Sequence, residues 1–278
     1  MGIESITDAL QGSYFLPLYS ALAYYTFVFA LGEIARILVS KYAPKSGNTR
    51  LFLIEMIGTV QMCTCVYENG IIVKYYGLNA FFIVVGLLLT AGSVFNRGAL
   101  GNCAPVFEDF YFNKISSTKL LALISAQLIG ATFASRLAYA IWTFTSNLST
   151  VHMENALNTE CILNYHQPAG TVIAFEIAGA FAIRGIISFL AQSSALRRTI
   201  PFVISLYLAL ALYIIGVPGL NPIVATSRLY GCQGIDNNSF VLLYWVCPTV
   251  GWLMGAHIFR NDKPVKQSKS TKKASKKN

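Results

Sequence analysis

The chain has 278 residues, of which 55% are hydrophobic and only 12% charged, and its mean hydropathy is +0.55. An average soluble domain is about 25% charged. Too little charge remains here to clothe a water-facing surface, which excludes a soluble enzyme and a disordered regulator and leaves a multi-span membrane protein. The net charge of +9 is concentrated at one end, because Arg260–Asn278 holds eight Lys/Arg and a single acid, Asp262. Such a tail behind an apolar body reads as a cytoplasmic flank in contact with anionic lipid, not as a nucleic-acid surface.

A helix needs about 20 apolar residues to cross a bilayer. Seven stretches reach that length: 14–35, 50–68, 78–96, 118–142, 168–191, 199–217 and 239–259. Two weakly apolar pieces, near 103–112 and 222–230, are too short to span, and each follows an Asn and carries a Pro in its first turn. The first span could be read as a signal peptide, but Glu4 and Asp8 precede it and no Lys or Arg does, the reverse of a basic leader. Seventeen of the 21 Lys/Arg lie in alternate loops and the tail, among them Arg36, Lys41, Arg50, Arg97, Lys119 and Arg197. That bias puts the C-terminus in the cytoplasm and the N-terminus outside or in a lumen.

The six cysteines show no metal-ligand spacing and the three histidines do not cluster with them, so neither a metal nor another cofactor is expected. Cys161 and Cys232 fall in outside segments, where they could form a disulfide or stay as two thiols. Asn147-Leu148-Ser149 and Asn237-Asn238-Ser239 are glycosylation sequons on the same side, a weak signal because short motifs arise by chance.

Comparing the two halves is more informative. Glu55-Met56-Ile57-Gly58 in the second span matches Glu176-Ile177-Ala178-Gly179 in the fifth, 121 residues later. Gly101-Asn102-Cys103-Ala104-Pro105 matches Leu220-Asn221-Pro222-Ile223, 119 residues later by their Asn. Each half has three spans, an odd number, so the second half is inserted upside down. The expected domains are 1–49, an extra N-terminal span and basic loop; 50–147, the first half-repeat; 148–167, an outside loop; 168–260, the second half-repeat; and 261–278, a basic disordered cytoplasmic tail.

Asn is a preferred N-cap, and Pro is tolerated in the first turn of a helix. Two such half-helices entering from opposite faces bring their positive ends together and repel cations and protons. With their oxygens turned to the backbone, the amide NH2 groups of Asn102 and Asn221 can point into a pore and donate to a neutral solute. Glu55 and Glu176 are intramembrane carboxylates that either relay protons or accept from loop amides and brace the adjoining half-helix. Arg136 and Arg184 lie near enough to span ends to snorkel. Cys103, beside the constriction, is either a small buried hydrophobe or a site where a thiol reagent blocks flow.

These residues resemble the aquaporin (major intrinsic protein) family over nearly all of 50–260. Ala126-Gln127-Leu128-Ile129-Gly130-Ala131 is similar to that family's third-helix motif. Tyr244-Trp245-Val246-Cys247-Pro248-Thr249-Val250-Gly251 is similar to its last-helix motif, with Cys247 where Gly is usual. The degenerate first Asn-Pro-Ala box and the extra N-terminal segment resemble the unorthodox superaquaporin branch, as do Gln61-Met62-Cys63-Thr64-Cys65, Ser135-Arg136 and Cys232.

The resemblance implies an all-α transmembrane fold. It would be an inverted repeat of six spanning helices and two half-helices, plus one extra N-terminal spanning helix. It implies a pore constriction at Asn102, Cys103, Ala104, Asn221, Pro222 and Ile223, supported by Glu55, Glu176 and Gln127. It places the outer filter at Phe82, Ala209, Pro218 and Val224, without the usual Arg and His. Such a filter is wider and greasier, and admits glycerol or hydrogen peroxide beside water. It further implies a homotetramer in an intracellular membrane, the endoplasmic reticulum ahead of the plasma membrane. The expected function is a passive channel for water and small neutral solutes, not an enzyme. The alternative is a structural or regulatory membrane protein that keeps the fold without conducting.

Overall fold

In hydrocarbon every backbone N–H and C=O must be satisfied within the protein, which leaves the apolar stretches to fold as helices. The computed structural model of the chain describes residues 14–44, 47–158 and 160–259. The cytoplasmic tail expected at 261–278, together with Glu4 and Asp8, lies outside these residues.

Helix α1 (Leu16–Tyr42) is followed by α2 (Asn48–Phe95), a 48-residue helix. At about 1.5 Å per residue, α2 would run to about 72 Å if straight, more than twice the thickness of the hydrocarbon core. It breaks at Gly77, whose φ of 74° and ψ of −174° are open to glycine and strained for other residues. Its two limbs are therefore the second and third expected spans. The connection expected at 69–77 is a correction, since it is helical as far as Tyr76. Burial explains this: Ile72, 1% exposed, joins Tyr24 and Tyr25 of α1 in one cluster, and that contact carries the helix past the span.

The short α3 (Cys103–Tyr111) leads into α4 (Ser117–Thr145). The segment between the two halves carries α5 (Thr150–Leu157), capped by the Ser149 hydroxyl, which accepts from His152 N at 3.4 Å. The second half runs α6 (Ala169–Leu190), the single turn α7 (Ser194–Arg197), α8 (Ile200–Ile215) and the short α9 (Pro222–Leu229). It ends with α10 (Asn237–Val241), which passes through a π-helical turn at Leu242–Val246 into α11 (Cys247–Phe259). Five helices among the described residues are long and apolar enough to cross a membrane, and α8 is apolar but shorter. Phe27, Leu87, Phe133, Phe189 and Tyr213 are exposed on their outsides, as befits a surface solvated by lipid.

Helix α1 lies outside the repeat and is nonetheless fastened to it. Tyr25 donates to Asn69 Oδ1 at 2.7 Å, and the fully buried Arg36 donates through Nη2 to Gln61 Oε1 at 2.6 Å and Asn96 Oδ1 at 3.1 Å. Arg97 pairs with Glu33 and donates to Ser40 Oγ at 2.9 Å. Gln61, read in the sequence only as part of a motif, is thus the socket for a cation of the extra helix. Cys161 and Cys232 are joined as a disulfide beside the bridge between Ile162 and Gln233.

Candidate functional site

The two half-helices begin in the same way. Asn102, in extended backbone, accepts at Oδ1 from Ala104 N at 3.0 Å. Asn221, also extended, accepts from Ile223 N at 3.0 Å and from Val224 N at 3.5 Å. In each case the side chain satisfies first-turn amides that have no partner inside the helix. Pro222 takes the first position of α9, where no N–H is needed.

The free ends of the two caps differ. Asn221 Nδ2 donates to Gly101 O at 3.0 Å, so one of its two N–H groups ties the second box to the chain just before the first. One N–H of Asn221 is thus engaged by the protein, where the sequence reading leaves both NH2 groups free to face a pore. Spacing along the chain does not reveal a bond between the halves. Asn102 Nδ2 has no hydrogen-bond partner among the described residues.

Behind each cap a buried carboxylate holds the preceding loop. Glu55 Oε1 accepts from Gly101 N at 2.8 Å and from Gln127 Nε2 at 2.7 Å, and Leu100 N reaches both of its oxygens at 3.0–3.1 Å. Gln127 Nε2 also donates to Asn102 O at 3.1 Å. Glu176 accepts from Gly219 N at 2.6 Å and from Leu220 N at 2.7 Å. The Gly that follows each Glu by three residues makes room for the loop or its packing. A Cβ on Gly58 would lie 2.5 Å from that of Ala99, and one on Gly179 would lie 2.4 Å from the Tyr207 hydroxyl and 2.9 Å from Leu220. In the second half no Gln occupies the role of Gln127, and the Tyr244 hydroxyl donates to Val217 O at 3.0 Å instead.

The half-helices are braced by their own halves and dock against the opposite ones. Ala104 packs in a cluster with Ala180, Ile183, Ala211, Leu220 and Trp252, all from the second half. Ile223 packs with Cys63, Cys103, Ala131 and Ala134, all from the first. Polar contacts repeat the exchange. Ser227 of α9 donates to Ala131 O at 2.8 Å, and Tyr67 of α2 donates to Ser227 O. Glu108 of α3 receives Arg184 Nε at 2.6 Å and Nη2 at 2.7 Å, together with Trp252 Nε1 at 2.8 Å.

Arg184 therefore does not snorkel. Its side chain is 12% exposed and pairs with a carboxylate that is 8% exposed. Sequence reading missed Glu108 altogether, because its partner lies 76 residues away in the other half. Deleting one member of a buried pair strands the other, at about 3–5 kcal/mol. Arg184→Ala is expected to lower the unfolding temperature by a corresponding amount. Adding Glu108→Gln to it is expected to restore much of the loss, as read by thermal unfolding in detergent.

The four outer-filter residues are not drawn into one cluster. Phe82 and Ala209 belong to the core under α1, and the Phe82 ring packs edge-to-face on Phe202 with centroids 6.1 Å apart. Val224 packs with Cys103 and Ile223, while Pro218 is half-buried in the loop before Asn221. Arg228, one turn beyond Val224, has its guanidinium 5.8 Å over the Tyr67 ring. Arg136 is exposed. Cys103 and Cys63 are fully buried, and Cys65 and Cys247 are buried as well; none of the four is in a disulfide. Asn147 and Asn237 are both exposed. Ser149 of the first sequon is buried and accepts from Ser20 Oγ at 2.8 Å. Ser239 of the second donates to Asp236, whose carboxyl it holds below its usual pKa. No group of three or more potential metal ligands occurs among the described residues.

No protein-family model matches the chain. A Caenorhabditis elegans protein named "Putative aquaporin-10" is 60% identical over 270 residues, covering 97% of this chain and 96% of that protein. An aquaporin-11 of Milnesium tardigradum is 26% identical over 239 residues, 84% of each chain. A Mus musculus aquaporin-12 is 23% identical over 254 residues, 88% of this chain and 86% of its own length.

Proposed function

The chain belongs to the aquaporin family of membrane channels, which are not enzymes, and on that premise we propose that it conducts water and small neutral solutes between its two half-helices. One observation carries this reading: two Asn-capped half-helices, each braced by a buried Glu, meet tip to tip through Cys103 and Ile223. Their N-termini concentrate positive potential where a hydrated cation or proton would have to pass. The half-repeats are 50–147 and 168–260, joined by the outer loop 148–167, with α1 and its loop as an addition. Glu55, Glu176 and Gln127 hold the constriction, and Phe82, Ala209, Pro218 and Val224 are assigned to the outer opening as separate surfaces, since no single packed cluster holds all four. With Val224 where an Arg is usual, that opening admits glycerol and hydrogen peroxide as well as water. The superaquaporin-like features support an intracellular membrane, and the family supports a homotetramer. A non-conducting scaffold is favoured by one observation, the bond that turns one N–H of Asn221 away from any solute.

Stopped-flow light scattering on proteoliposomes tests conduction with water, glycerol and peroxide in turn. Asp caps a helix about as well as Asn, so both Asn→Asp variants are expected to fold. Asn221→Asp replaces a donor to Gly101 O with a second carboxylate oxygen, an oxygen-to-oxygen repulsion, while Asn102→Asp loses an amide that has no hydrogen-bond partner among the described residues. Flux is expected to fall about tenfold in Asn221→Asp, equivalent to about 1.4 kcal/mol of barrier, and less in Asn102→Asp. Flux equal to empty liposomes for the folded, inserted parent would leave the scaffold reading in its place.

A further inference from the structure

A cavity of about 380 Å³ opens beside the first half-helix, lined among others by Gly47, Arg50, Arg97, Asp109, Lys119 and Leu123. By charge bias these segments face the cytoplasm. The cavity is separate from the half-helix tips, although Glu55 and Leu100 of the loop brace form part of its wall.

Its charges do not balance internally. Arg97 is spent on Glu33, Asp109 pairs with Lys114 at 3.2 Å, and Glu55 is filled by backbone amides and Gln127. The Arg50 and Lys119 side chains have no partner among the described residues, and both are half-buried. Each stands in the first turn of a helix, α2 and α4 respectively, and neither of those turns contains an acidic residue. A cation there faces the positive end of the helix, the unfavourable arrangement. Gly47, the N-cap of α2, provides no side-chain acceptor for the first amides and lies in the cavity wall. Two unpaired cations, two positive helix ends and uncapped amides therefore converge on one opening. The remaining wall includes the apolar Leu51, Ile54 and Leu123.

We propose that this cavity binds a phosphate monoester through Arg50 and Lys119, presented either by a lipid headgroup of the cytoplasmic leaflet or by a soluble phosphate. The guanidinium supplies a planar fork and the ammonium a point charge, a pairing suited to a doubly charged phosphate. The bound anion also relieves the two misplaced cations, so binding stabilises the folded protein.

Thermal unfolding of the full chain, read by intrinsic tryptophan fluorescence, tests this. In detergent the probe is inorganic phosphate. In phosphatidylcholine nanodiscs the probe is added phosphatidic acid, with phosphatidylserine as the anionic control. Phosphate or phosphatidic acid is expected to raise the unfolding temperature and phosphatidylserine is not. In Arg50→Ala and in Lys119→Gln the midpoint for stabilisation is expected to weaken about tenfold per cation removed. Because neither side chain has a partner, both variants are expected to unfold without ligand at the parent's temperature or above. A response to phosphatidic acid alone assigns the site to lipid, and a response to inorganic phosphate alone assigns it to a soluble ligand. No response to either probe, an equal response to phosphatidylserine, or a response retained in both variants overturns the proposal.

Discussion

Glu176→Ala is expected to abolish solute flux and to cost a large share of the protein's stability. The Gly219 and Leu220 amides both point at this carboxylate in a site closed to water. Each buried donor left without a partner costs about 1–3 kcal/mol, so the pair costs about 2–6 kcal/mol before the cavity is counted. That is a large part of the about 5–15 kcal/mol that holds a typical domain folded. The loop ending at Leu220 delivers Asn221, so whatever stays folded would lose its second cap. Glu176→Gln is expected to fall between Ala and the parent. Its single carbonyl oxygen can take one amide, while its NH2 group meets the other donor head on. Size-exclusion chromatography and thermal unfolding report the stability loss, and stopped-flow scattering reports the flux. The same experiment separates a brace from a proton relay. With a pH-sensitive dye inside the liposomes, a relay predicts that Glu176→Gln changes proton flux at unaltered stability. The bonds to Gly219 and Leu220 predict the opposite, a stability loss with water flux falling alongside it.

Gly251→Leu is expected to prevent folding, and Gly251→Ala to destabilise strongly although Ala is the better helix former. A Cβ at Gly251 would lie 2.1 Å from Ile177 O and 2.9 Å from the Ile177 carbonyl carbon, both backbone atoms of α6. A side chain in the way can rotate aside, but a helix carbonyl moves only with its helix. Replacing Gly by Ala in a helix contributes about 1 kcal/mol, whereas overpacking a close contact costs about 1–3 kcal/mol and more when backbone must shift. The clash wins. Gly70→Ala provides the control, because Gly70 is also helical and has nothing within 4 Å of its Cβ position. That substitution is expected to raise the unfolding temperature slightly. If Gly251→Ala unfolded at the temperature of Gly70→Ala, the close approach of α11 to α6 would be refuted. The same approach explains Gly255, four residues on, whose Cβ would lie 2.9 Å from Phe181 O, so the Gly251 and Gly255 pair serves packing inside the chain.

Features that depend on composition or on local spacing were legible in the sequence. The spans follow from apolar length, and the half-helix starts follow from Asn, Pro and the capping geometry they favour. The Glu-x-x-Gly repeat pointed to a shared support before any contact was known. Features that depend on a partner far along the chain were not legible. Arg184 was placed by counting residues to the end of its helix, and that count cannot reveal Glu108. The helical stretch up to Tyr76 falls between the apolar spans 50–68 and 78–96, so apolar length alone makes it a connection. It stays helical because Ile72 meets α1, an element outside the repeat. Helix α5 carries no long apolar signal, and its start depends on one Ser cap. The outer filter was assigned by counting from the two boxes, and counting does not determine which way the Phe82 ring turns.

The exchange of tips between the halves bears on how such a chain can vary and how it comes apart. Ala104 belongs to the interior of the second half and Ile223 to that of the first, so neither half retains a complete interior when separated from the other. Melting cannot spread through one repeat and stop at the boundary, which makes the two inverted halves a single cooperative unit despite their separate loops and braces. A substitution at either tip is judged by neighbours that lie far along the chain in the other half, and the symmetry of the pair becomes a mutual constraint on further divergence.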